Sequence, residues 1–268
     1  MINLTKNNWL TTNIEMRQRG FNVNFKVCLN PYRHHQIKSF KEECLITACE
    51  LAGLNTPLFV GLSGGYDSEY VCSILLEAGV DFTPVIVIFD GNQAEIEYAL
   101  RFCDKNKLSP SIIQLSDFEL ATIICKDIIM GLNGTGIFSV GAIASKKHAD
   151  SNKGILVTGD HMIGDDEQID QFIFYVGEHD FYANGIGFFT YRIELVKAMI
   201  DLVPKYSDWL EYKHKVYGIQ HRKKNRPKFN DNVKNVVNSC FAMYHKPVSS
   251  KQVFGTRQQL LDLLNDSR

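Results

Sequence analysis

No stretch of this chain approaches the roughly 18 consecutive apolar residues that a membrane-spanning helix needs. Nor does an apolar signal region follow Met1, since the chain begins Met-Ile-Asn-Leu-Thr-Lys-Asn-Asn-Trp. A cytoplasmic protein with no membrane partner is therefore expected. Charge of one sign is also missing. Lys and Arg number 29 against 30 Asp and Glu, a formal charge of -1. This balance argues against a protein held mainly by nucleic-acid phosphates and leaves only a local basic patch for that purpose. None of the 7 cysteines forms a C-x-x-C pair, and the count is odd. A cysteine zinc site has no support in that spacing, and reduced, mostly buried thiols are expected. Repeats and low-complexity segments are absent. With 45% hydrophobic residues in 268, the chain is globular and long enough to bury a sizeable core.

The middle of the chain alternates strand and helix patterns. Residues 57–62 are a short apolar run between turn residues. Residues 66–78 carry Val71, Leu75 and Ala78 at helical spacing, with Gly79 as a stop. Residues 84–89 are a β-branched run suited to a buried parallel strand. A helix over 93–105 puts Ile96, Leu100 and Cys103 on one face, and 111–115 is a third strand. Asp117 is placed to cap a helix running to about residue 133. After a glycine-rich loop at 131–136 come a helix over 138–149 and a fourth strand over 154–158. Such alternation predicts an α/β fold with a parallel sheet of about five strands.

The flanks are weaker. One strand (22–29) and one helix (38–51) make a small N-terminal element over 1–53. Residues 171–176 are strand-like, with 181–189 as their partner. Helical patterns at 189–203 and 207–217, and a capping box of Thr256 with Gln259, mark 190–268 as a helical C-terminal part. The α/β core is placed at 54–189.

The segment Ser63-Gly-Gly-Tyr-Asp-Ser68 lies between the first strand of that core and its helix. Open α/β sheets bind ligands at such a boundary. Adjacent glycines let backbone N–H groups turn around an anion, Ser63 and Ser68 add hydroxyls, and the helix adds the positive end of its dipole. Asp67 would repel phosphate unless a Mg²⁺ ion lay between them. A plain Gly-Gly turn has no use for the two serines and the aspartate together. The segment is not a Walker A loop, which needs Gly-Lys-Ser/Thr.

Ser63-Gly-Gly-Tyr-Asp-Ser68 resembles the PP-loop signature of the N-type ATP pyrophosphatases, over about residues 55–170. This superfamily includes the synthetase domains of asparagine and β-lactam synthetases and several tRNA-modifying enzymes. The resemblance implies cleavage of ATP between its α- and β-phosphates and adenylation of a substrate oxygen. A second match points to the asparagine synthetase-like branch. Ile155-Leu-Val-Thr-Gly-Asp160 resembles its strand ending in Ser/Thr-Gly-Asp, although His161-Met-Ile-Gly-Asp-Asp-Glu167 then departs from the pattern by two residues. The resemblance implies Asp160 as a second Mg²⁺ ligand, with Asp165 or Asp166 in a later acidic role. It also implies a pyrophosphate-stabilising lysine from the C-terminal part, for which Lys228, fixed by Pro227, is the choice. Near the carboxyl edge of the second strand, Asp90 either touches the nucleoside or simply ends the strand in a turn.

Ser63, Gly64, Gly65, Asp67, Ser68 and Asp90 are thus expected to bind ATP, with Asp67 and Asp160 on the metal and Asp67, Asp160 and Lys228 catalytic. No glutaminase domain fits ahead of this core, so the amine is expected to arrive free, on a substrate, or from another protein. The expected partners are a small acid or amide and an amine or ammonia. The basic run Lys213, Lys215, Arg222, Lys223, Lys224, Arg226 and Lys228 leaves room for RNA instead. A non-catalytic nucleotide-binding regulator is the third reading, and homo-oligomerisation is left open.

Overall fold

A computed structural model describes residues 10–16, 23–29, 36–129, 137–159, 185–202, 209–219 and 230–236. Two strands, β1 (Leu10–Met16) and β2 (Val23–Leu29), pair antiparallel. The strand expected over 22–29 is therefore present, with a partner that the sequence pattern did not announce. The central sheet has five strands: β3 (Leu58–Gly61), β4 (Thr83–Ile88), β5 (Ser111–Gln114), β6 (Ile155–Thr158) and β7 (Ile186–Gly187). All pair in parallel, in the order β5-β4-β3-β6-β7. This is the expected α/β parallel-sheet class.

The helices are α1 (Phe40–Ala52), α2 (Tyr66–Glu77), α3 (Gln93–Asn106), α4 (Asp117–Ile129), α5 (Ile137–Ser151), α6 (Ile193–Leu202) and α7 (Trp209–Tyr217). Strand periodicity sorts the core. In β3, Leu58 and Val60 join one apolar cluster with α1, α2, α3, α6 and α7, while Phe59 between them packs on the other face with Ala149 of α5. In β4, Ile86 joins the first cluster and Val87 packs with Leu120 and Ile124 of α4. Both faces of the sheet are therefore covered, which is why its strands read as unbroken apolar runs.

Two local expectations are corrected. Ser116, not Asp117, caps α4. The Glu119 amide donates to Ser116 Oγ (3.3 Å), and the Ser116 amide donates to Glu119 Oε2 (2.9 Å). A hydroxyl acceptor with a glutamate three residues on satisfies two end groups at once, which an aspartate one place later cannot do. The segment around 186 pairs in parallel with β6, and its expected partner, 171–176, lies outside the described residues. Phe188–Thr190 form a 3-10 turn, so the helix expected from 189 starts at Ile193.

One buried cation fastens α1 to α6. The Arg192 guanidinium donates to Glu43 (2.8 Å) and lies 3.1 Å from Glu50 and 3.5 Å from Glu194. Cys44, Cys72 and Cys103 are buried in the same core. Burial pushes the Cys44 and Cys72 thiols well up and raises Cys103 to about 11. The folded state thus holds these thiols protonated. Its stability is intact below the ordinary thiol range near ~8.5 and falls as pH rises toward the folded value. At about pH 8 a soluble alkylating reagent should modify exposed Cys49 and spare Cys44, Cys72 and Cys103 until the chain is unfolded. Peptide mass spectrometry reads this directly.

Candidate functional site

The chain enters the sheet at its middle strand, β3, steps outward through β4 to β5, and returns to β6 on the other side of β3. The connections therefore diverge between β3 and β6, and the crevice beyond their carboxyl ends is where such sheets receive ligands. A cleft of about 240 Å³ opens there. Ser63, Gly65, Asp67 and Ser68 form one wall, and Thr158 and Gly159 at the end of β6 close it. Val85, Val87, Phe89 and Ile96 give an apolar side, and Gly141, Ala142 and Ser145 of α5 the opposite one.

The loop is tied by its own hydroxyls. Ser68 Oγ accepts the Ser63 amide (3.3 Å), donates to the Gly65 carbonyl (3.2 Å), and lies 3.2 Å from Ser63 Oγ, which accepts the Gly65 amide (3.3 Å). Gly64 has φ +80, and a Cβ there would run into the Glu95 carbonyl at the start of α3. A glycine is required at this point both for the left-handed turn and for the close approach of α3. Helices α1 and α4 begin with serine capping boxes, whereas the N-cap of α2 is Gly65, which brings no side-chain acceptor. The positive end of α2 therefore faces the cleft with no side-chain cap, and Asp67 lies in its first turn.

Gly159 sits against this helix start. A Cβ at Gly159 would come 2.7 Å from the Ser68 nitrogen and 2.8 Å from the Asp67 carbonyl carbon. The residue before Asp160 is thus packed on the backbone of Asp67 and Ser68. Asp160 itself, with His161, Asp165, Asp166 and Lys228, lies outside the described residues.

Asp67 has a partner that the sequence pattern did not single out. Lys213 of α7 donates to its Oδ2 at 2.5 Å, and both side chains are about a quarter exposed or less. Helix α7 is seated there by aromatic packing. Tyr217 stacks on Tyr70 of α2 with ring centroids 4.0 Å apart, Tyr212 is fully buried, and His214 meets Tyr66 edge-on at 5.4 Å. Burial, then the nearby Asp67 carboxylate and Tyr212, hold the Tyr217 phenol well above its usual range.

On the apolar side, buried Asn92 locks the end of β4. Its Nδ2 donates to the Val87 carbonyl (2.9 Å) and its Oδ1 accepts the Phe89 amide (3.0 Å). Phe89 lines the cleft. Asp90 is exposed and turns elsewhere, accepting from Gln93 (3.4 Å) and Asn230 (3.1 Å), and Asn230 also donates to Asp117 (2.8 Å).

Chemically, the described lining carries two carboxylates, Asp67 and Glu95, and no basic side chain. A polyphosphate could not be held by this lining through charge alone. The loop amides, the end of α2, Lys213 and a metal ion on Asp67 would have to balance it. Among the described residues no group of three metal-ligating side chains gathers here, so a divalent ion at this wall would rest on Asp67, with the phosphates supplying its other anionic ligands.

No protein-family model matches this sequence, and no curated protein matches it. Solved structures do. An ammonia-dependent NAD synthetase from Campylobacter jejuni aligns at 17% identity over 54% of this chain and 75% of its own, with a TM-score of 0.33. An NMN synthetase from Francisella tularensis aligns at 13% identity over 82% of this chain and 100% of its own, TM-score 0.34. A U34-tRNA thiolase from Methanococcus maripaludis aligns at 16% over 80% and 81%, TM-score 0.36. No described helix is long and apolar enough to cross a membrane.

Proposed function

We propose that the cleft binds ATP and that the protein is an AMP-forming ligase of the asparagine synthetase-like type. The observation that supports this best is the Ser63–Ser68 loop: a hydroxyl-tied, glycine-cornered turn at the switch point of a parallel sheet, ending on an uncapped helix start that carries a carboxylate. The phosphates lie against Ser63, Gly65 and Ser68, with Gly64 setting the turn. The base lies along Val85, Val87 and Phe89. Asp67 and Asp160 would hold Mg²⁺, which would supply positive charge against the separating pyrophosphate.

In the reaction, a carboxylate or amide oxygen of the acceptor attacks the α-phosphorus. The bond to the α–β bridging oxygen breaks and its electrons leave with pyrophosphate. A nitrogen nucleophile then attacks the activated carbon, loses a proton, and AMP departs. The loop and the end of α2 keep the polyphosphate chain in line with the acceptor. Lys213 joins Lys228 as a candidate for the cation that meets the charge developing on pyrophosphate, because it already reaches Asp67.

The chemistry is tested by isotope exchange. Labelled pyrophosphate should enter ATP when Mg²⁺ and a panel of carboxylic acids and amides are supplied. Exchange with no member of a broad panel would contradict the adenylation step.

Gly141 gives an independent check. Nothing lies within 4 Å of a Cβ built there, and the residue lines the cleft from the body of α5. Gly141→Leu should stabilise the helix by about 0.5–1 kcal/mol. It should also weaken ATP binding on the order of tenfold or more by filling the cleft. Thermal melting and ATP titration together read the opposed signs.

A further inference from the structure

We infer that Lys213 is an exchangeable counter-ion: it occupies the Asp67 carboxylate until a divalent metal takes that place, and then turns to the phosphates in the Ser63–Ser68 loop. The inference rests on the reading of Asp67 as a metal-holding residue. Three observations carry it.

First, the contact is close. Lys213 Nζ reaches Asp67 Oδ2 at 2.5 Å across 146 residues of sequence. An ammonium on Oδ2 and a divalent ion on the same carboxylate repel each other at such short range, so metal and lysine compete for Asp67.

Second, the lysine can let go while its helix stays. Helix α7 is held by Tyr217 on Tyr70, by buried Tyr212 and by His214 against Tyr66. Its seating therefore has contacts besides the ion pair. The Lys213 side chain is 20% exposed, on a flexible four-carbon stem, so it can rotate without moving backbone.

Third, the released ammonium has somewhere to go. The described lining of the cleft has Asp67 and Glu95 but no base. Asp67 lies in the first turn of α2, immediately after the loop. An ammonium displaced from Asp67 by a metal therefore stands beside the phosphates that the metal accompanies. One lysine thus neutralises Asp67 in the empty site and phosphate in the filled one. The cleft never carries the unbalanced carboxylate or the unbalanced polyphosphate.

The exchange gives opposite signs for two simple probes. Mn²⁺ alone, titrated into the full chain and followed by electron paramagnetic resonance, should bind Lys213→Met on the order of tenfold tighter than wild type. Inorganic pyrophosphate with saturating Mg²⁺ should bind the same variant on the order of tenfold more weakly. Lys213→Arg, which keeps the charge, should leave Mn²⁺ binding near wild type. A lysine that only fastens α7 would weaken both probes or move neither, and that result overturns the exchange.

A measurement on the unaltered protein guards against misfolding of the variant. Acylation of Lys213, quantified by mass spectrometry, should rise when Mg²⁺ alone is added and fall when pyrophosphate follows. Labelling indifferent to Mg²⁺ overturns the exchange. Asp67→Asn separates this failure from the failure of the parent reading. If Asp67→Asn loses Mn²⁺ but Lys213→Met binds it like wild type, Asp67 holds the metal and the exchange is wrong. If Asp67→Asn binds Mn²⁺ normally, both are wrong.

Discussion

Asp67→Asn should lower AMP formation from Mg-ATP on the order of a thousandfold while leaving the fold in place. The substitution keeps the shape of the side chain and removes its charge. The cleft then holds no carboxylate at the start of α2 to carry a cation, and Glu95, the other acid in the lining, belongs to the first turn of α3. Stability should change little. Lys213 loses the opposite charge of Asp67, but the pair is partly exposed and screened, so this costs about 1 kcal/mol or less. Initial rates of AMP release beside a thermal melt separate the two effects. A variant within a few-fold of wild-type activity would remove Asp67 from the chemistry.

Gly64→Ala has the opposite profile, a large loss of stability. At φ +80 any side chain strains the turn, and the Cβ meets the Glu95 carbonyl, which is backbone and cannot swing aside. Strain and overpacking together should cost about 2–4 kcal/mol. Either the loop or α3 must shift, and with it the Ile96 side of the cleft, so ATP affinity should fall as well. Gly65→Ala is the control. Gly65 has φ -77, and a Cβ there meets only Ser63 Oγ at 3.2 Å, so the loss should be much smaller. Urea midpoints of the two variants rank them, and equal midpoints would show that the turn is not constrained as described.

The sheet was legible because its strands are buried on both faces. Runs such as Val85-Ile-Val-Ile88 need no partner pattern to be recognised, and each is followed by a helix with a clear apolar face. The loop was legible because its chemistry is local: Ser63, Gly64, Gly65, Asp67 and Ser68 fall within one turn. The expected cap of α4 was Asp117, although Glu119, three residues after Ser116, marks the capping box at Ser116. What escaped was non-local. β7 is only two residues long, and its parallel pairing with β6 joins segments that no periodicity links. Lys213 was one of seven cations in a basic run. Only the seating of Tyr212 and Tyr217 against α2 singles it out. Asn92 follows the turn after β4, and nothing in the sequence says that its amide would bridge Val87 and Phe89.

The central claim, cleavage of ATP between its α- and β-phosphates in the cleft at Ser63–Ser68, is tested most directly with α-labelled ATP. The full chain is incubated with Mg²⁺ and a small-metabolite extract, and labelled AMP is separated from labelled ADP, with Asp67→Ala alongside. The expected result is AMP from the wild type and none from the variant. Labelled ADP in place of AMP, or AMP undiminished in Asp67→Ala, would contradict it.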